Sequence, residues 1–79
     1  YMDEYLKKIK QIVSEKTGME LDEISEDSYF EDDLNMGQMD LVDLLTDLEE
    51  FYQVEGLLSE KDELETVQDL VDLLIEKVD

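Results

Sequence analysis

The chain contains no cysteine, no histidine and no proline, and only three glycines. Each shortage removes a class of explanation. Without cysteine there are no disulfides, no thiolate metal sites and no thiol nucleophile. Without histidine the commonest catalytic base and the commonest transition-metal ligand are gone. The lack of proline leaves long stretches free to be helical, and Gly18, Gly37 and Gly56 fall where elements can end. No apolar run approaches the roughly 20 residues that span a bilayer, and no signal-peptide pattern opens the chain, so a cytoplasmic location is expected.

Positive charge is scarce as well. Twenty-five acidic residues face six basic ones, for a net charge of −19. No cation occurs between Lys16 and Lys61, an interval rich in aspartate and glutamate. Such a surface repels nucleic acid and anionic lipid and steers proteins with basic patches toward itself. Acidic chains can be disordered, but 42% of these residues are apolar and they recur at helical spacing. Seventy-nine residues hold a single domain, 1–79, with one marginally stable core and an expected monomeric state.

Four helical segments emerge from the periodicity. Tyr5, Ile9, Ile12, Val13 and Lys16 predict a first helix over 3–17, with Asp3 and Glu4 at its start and Gly18 beyond its end. A long connection over 18–36 carries Met19, Leu21, Ile24, Tyr29, Phe30 and Leu34. A structureless loop of that length must be pinned by burying those side chains. Leu41, Leu44, Leu45, Leu48 and Tyr52 form the apolar stripe of a second helix over 38–52, and Asp40, Asp43, Asp47 and Glu50 share another face. Residues 59–63 allow only a turn or two of helix. Thr66, with Asp69 three residues on, predicts a capping box at the head of the last helix, whose buried face is Val67, Leu70, Val71, Leu74 and Ile75. The expected architecture is all-α: a small four-helix bundle with a long first loop and a short third helix. Tyr1 ahead of Met2 reads as an appended residue.

Catalysis finds little support. No Ser-His or Cys-His pair is possible, and the isolated glycines build no phosphate loop. No catalytic residue and no enzymatic activity are expected. An EF-hand fails too: counting back from Gly37, the ligand positions would be Asp32, Leu34 and Met36, two of them apolar. No specific metal site is expected.

The segment Phe30-Glu31-Asp32-Asp33-Leu34-Asn35-Met36-Gly37-Gln38-Met39-Asp40 resembles the acyl carrier proteins of fatty-acid and polyketide synthesis, whose pattern reads Phe-x-x-Asp-Leu-Gly-x-Asp-Ser-Leu-Asp. The resemblance extends through Ile24-Ser25, Leu48-Glu49-Glu50-Phe51-Tyr52, Val54-Glu55 and Thr66-Val67-Gln68, and covers nearly the whole chain. It implies the carrier fold, and a second helix whose acidic face is read by partner enzymes. It also implies that the serine opening that helix carries a 4′-phosphopantetheine arm.

At that point the sequence departs from the pattern. The Asp-Ser-Leu triplet reads Gly37-Gln38-Met39, and glutamine has no hydroxyl from which to form a phosphodiester. Three neighbouring changes point to natural divergence, since a deliberate knockout changes the serine alone. The sequence therefore predicts no phosphopantetheine cofactor, with Gln38 a non-functional attachment position. It predicts protein docking through Asp40, Asp43, Asp47 and Glu50, flanked by the adaptable side chains of Met36 and Met39. Two other readings stay open: a carrier whose arm is relocated or lost, and a bundle that holds a lipid or acyl chain non-covalently.

Overall fold

A computed structural model describes residues 2–79; Tyr1 lies outside the described residues. Helix α1 spans Met2–Thr17, α2 spans Gln38–Tyr52 and α3 spans Val67–Val78. Two 3₁₀ segments, Leu21–Glu23 and Leu58–Glu63, occupy the connections, and no strand is present among the described residues. The expected short third helix is thus the second of these 3₁₀ segments.

Each helix buries one stripe. Ile9 and Val13 of α1, Leu44, Leu45 and Leu48 of α2, and Val67, Leu70 and Leu74 of α3 are fully buried and share a single core. At about 25 cal/mol per Å² of apolar surface, this burial is the main force closing the bundle. α1 stops at Gly18, whose φ of 80° is easy only for glycine and whose amide donates to the Ser14 carbonyl at 2.8 Å. α2 ends on Gln53 in the left-handed region, its amide donating to the Glu49 carbonyl.

The long connection is held in two ways. Ile24, Phe30 and Leu34 are buried in the core. The backbone of 26–30 is also tied to the head of α3. Phe30 N–H donates to the Glu65 carbonyl at 2.9 Å, Val67 N–H to Ser28 at 3.0 Å, and Gln68 N–H to Glu26 at 2.9 Å. Tyr29 and Thr66 form the associated antiparallel bridge. Because backbone pairing carries part of the load, not every apolar side chain of the loop needs burial. Leu21 and Tyr29, expected inside, are about half exposed.

Among the described residues no helix is long and apolar enough to cross a membrane.

Candidate functional site

The turn into α2 is made by Asn35, Met36 and Gly37. Asn35 has a φ of 54°, a left-handed conformation that asparagine tolerates better than most residues. It stands where the carrier pattern has glycine, so the turn survives the substitution. The turn directs Met36 inward: Met36 is buried, and its amide donates to the Phe30 carbonyl at 2.9 Å. This corrects the expected placement of Met36 beside an exposed face, because the chain reverses one residue before it.

Gly37 has extended backbone, φ −81° and ψ −177°, which any residue adopts, and a Cβ there would meet nothing within 4 Å. With no side chain, Gly37 offers no acceptor to the first-turn amides. Only the return half of a capping box remains, Gly37 N–H donating to Asp40 Oδ2 at 3.2 Å.

Gln38 is exposed at the first position of α2, and its Oε1 accepts a hydrogen bond from Lys61 Nζ of the second 3₁₀ segment. Lys61 also lies 3.1 Å from Asp62 Oδ1. Beside them is an open cavity of about 320 Å³, with Phe30, Met36, Leu41 and Leu64 at its floor and the charged Glu31, Asp32, Lys61, Asp62 and Glu65 around it.

Asp40, Asp43, Asp47 and Glu50 are all exposed along α2, forming a stripe about 15 Å long. Met39, 72% exposed, lies beside its beginning. The stripe is not free of cations, as the sequence interval suggests: α1 delivers Lys16 Nζ to 3.2 Å from Asp47 Oδ2. Glu49, one residue before Glu50, points elsewhere. Its Oε2 accepts from the amides of Leu57 and Leu58 at 3.0 and 3.1 Å and so fixes the entry to the second 3₁₀ segment.

At the far end of α2, Phe51, Tyr52 and Tyr5 stack edge to face, with centroid separations of 4.9 and 5.4 Å. The Tyr5 hydroxyl donates to the Asp79 carboxylate, which with desolvation pushes the phenol up to about 12. Burial, followed by the neighbouring Glu4 charge, raises the Tyr52 phenol.

Phosphopantetheine joins a carrier through a phosphodiester to a hydroxyl oxygen. Gln38 ends in an amide already engaged by Lys61, and neither Gly37 nor Met39 has a hydroxyl. These three residues do not fit the attachment. The serine hydroxyls elsewhere make local bonds: Ser14 to the Met19 carbonyl, Ser25 paired with the buried Ser28, and Ser59 to the Gly56 carbonyl. Among the described residues no group of three or more acidic side chains is arranged to hold a metal ion.

Comparison with known proteins gives the setting. A family profile described as "phosphopantetheine attachment site" matches residues 7–74. The chain is 39% identical over 72 residues to an acyl carrier protein of Borreliella burgdorferi, covering 91% of this chain and 90% of the relative. It is 36% identical over 75 residues to one of Thermosynechococcus vestitus, covering 95% and 93%. It is 32% identical over 74 residues to one of Rubrobacter xylanophilus, covering 94% and 91%. These matches overturn the expectation of a chain set apart from phosphopantetheine, because the profile and relatives are those of a phosphopantetheine-carrying family. What remains is a mismatch confined to the chemistry at residue 38.

Proposed function

This chain belongs to the acyl carrier protein family, whose members are carriers rather than enzymes, and we propose that it acts as a cytoplasmic carrier-type module that docks proteins through α2. The docking face is Met39 with Asp40, Asp43, Asp47 and Glu50, and its partners present basic patches. The exposed acidic stripe carries this reading: four carboxylates on one helix face, with a large apolar side chain at their head. Such a face guides encounter by charge and seats the partner by an adaptable apolar contact. Docking does not require the hydroxyl that Gln38 lacks, which leaves a regulatory or structural role within a fatty-acid or polyketide synthase open to it.

A phosphopantetheinyl transferase, a family partner that reads the start of α2, serves as the probe. Binding is measured by calorimetry without coenzyme A, so that docking is separated from transfer. The chain should bind, binding should weaken steadily with salt, and Asp40→Lys with Asp43→Lys should lower affinity about tenfold or more. Absence of binding, or binding indifferent to both changes, contradicts the proposal.

The apolar floor of Phe30, Met36, Leu41 and Leu64 in the charge-rimmed cavity beside Gln38 supports one further reading, a non-covalently held acyl chain. Native mass spectrometry of the purified protein tests it: a retained lipid supports this reading, and a bare protein after incubation with a fatty acid removes it.

A further inference from the structure

The outer face of α1 gathers lysines beside Asp3 and Glu4, whereas α2 carries no cation at all. Three of the six basic residues, Lys7, Lys8 and Lys10, fall within four positions there. Among the six lysines, Lys16 and Lys61 have carboxylate partners, while Lys77, with no ion pair among the described residues, lies against Gly56 at the other end of the chain. Lys7 and Lys10 form no ion pair among the described residues, and Lys8 Nζ sits 3.9 Å over the Phe51 ring instead. Exposed apolar side chains lie on both sides of this ridge. On one side Leu21, 52% exposed, and Leu6 form with Lys7, Lys10 and the single carboxylate of Asp3 an open groove of about 270 Å³. On the other, Phe51, 57% exposed, shares with Tyr5, Tyr52, Lys7, Lys8, Gln11 and the carboxylate of Glu4 a second groove of about 260 Å³.

We propose that this face of α1 is a second docking surface and that its occupant is an acidic amphipathic helix of a partner protein. Two shallow grooves along a helix about 24 Å long suit the ridge of another helix better than a small enclosed ligand. The apolar floor requires an apolar stripe on the partner. The unpaired ammonium groups of Lys7 and Lys10 require carboxylates beside that stripe. A flat anionic bilayer would meet the grooves poorly, and a second copy of this chain brings another charge of −19.

The net charge gives the interaction an unusual salt dependence. The molecule measures 27 × 25 × 19 Å. At about 0.01 M salt the Debye length, roughly 30 Å, exceeds those dimensions, so an acidic partner feels the whole −19 and is repelled. Near 0.15 M it falls to about 8 Å, and the partner feels the local lysines. Near 1 M that attraction is screened in turn. Affinity should therefore peak at intermediate salt, whereas basic partners on α2 weaken throughout.

The test is a titration of the ¹⁵N-labelled chain with a synthetic amphipathic peptide of leucine and glutamate heptads, repeated at the three salt concentrations. Expected are amide shifts confined to residues 6–11, 21 and 51, tightest binding near 0.15 M, and about tenfold weaker binding for Lys7→Glu with Lys10→Glu. Circular dichroism confirms that the variant is folded, and Lys7→Gln with Lys10→Gln provides a milder version. The proposal is overturned by shifts that fall on Asp40, Asp43 and Asp47 of α2 or nowhere, by affinity that only declines or only rises with salt, or by an unimpaired double variant. Binding of phosphatidylglycerol vesicles in place of the peptide, or self-association that consumes the same face, overturns it equally.

Discussion

The heads of α2 and α3 are built on opposite plans. At α3, Thr66 Oγ1 accepts from Asp69 N–H at 3.2 Å, while Asp69 Oδ2 accepts from the amides of Glu65 and Thr66 at 2.9 and 3.0 Å. The loop backbone of 26–30 is bonded to the same point. At α2, Gly37 caps nothing, and a single bond to Asp40 and the tether from Lys61 to Gln38 stand in its place. α2 is therefore held by the leucines behind its start, and α3 by local chemistry at its start. The triplet where the family places its chemistry has few structural duties, so it can change without disturbing the fold.

That contrast ranks a series of variants. Leu44→Ala removes a fully buried side chain from α2 and should cost about 2–5 kcal/mol, read from chemical denaturation. If it cost less than loss of a cap, packing would not be what holds α2. Thr66→Ala should cost about 1 kcal/mol, a fall in Tm of about 4–8 °C for a domain of this size. A loss near zero would mean that the loop bridge alone fixes the head of α3.

A smaller effect appears at high pH. The Tyr5 phenol is pushed up to about 12, so the folded protein holds this proton more tightly than the unfolded chain. Its contribution is complete below about pH 10 and is lost as pH rises toward 12. Tyr5→Phe should flatten that part of the stability profile, and an unchanged alkaline limb would show that the bond to Asp79 has no such role. Smallest of all, Gly37→Ser supplies the missing acceptor on a backbone that accepts any residue, and should gain a few tenths of a kcal/mol. A gain rivalling the loss at Thr66 would erase the difference between the two helix heads.

The parts of this architecture written in local spacing were legible in the sequence. The bounds of α2 follow from leucine periodicity, and the Thr66–Asp69 box follows from two residue types three positions apart. What depends on long-range approach was not. Nothing in the local sequence brings Lys16 to Asp47 or Lys61 to Gln38. Met36 lies inside, against its expected position beside the acidic face, because its direction is set by the left-handed turn at Asn35 and not by helical register. Leu21 and Tyr29 stay about half exposed because backbone bonds to the head of α3, which no local pattern reveals, share the task of pinning the loop. At the candidate site, the change at Gln38 is plain from the residue alone. That Lys7 and Lys10 form no ion pair among the described residues depends on where the carboxylates of other elements lie, which the local sequence does not give.

The central claim is that the carrier fold and its docking face are intact and that the departure is confined to Gly37-Gln38-Met39. Incubation with a phosphopantetheinyl transferase and coenzyme A, followed by site-resolved mass spectrometry at residue 38, tests it most directly. Gln38→Ser supplies the nucleophile, but Gly37 and Met39 still differ from the triplet the transferase reads, so arm attachment at residue 38 should be slow. With Gly37→Asp and Met39→Leu added, attachment there should become efficient. A folded triple variant that remains unmodified at residue 38 would contradict the claim and place the divergence in the docking surface of α2 itself.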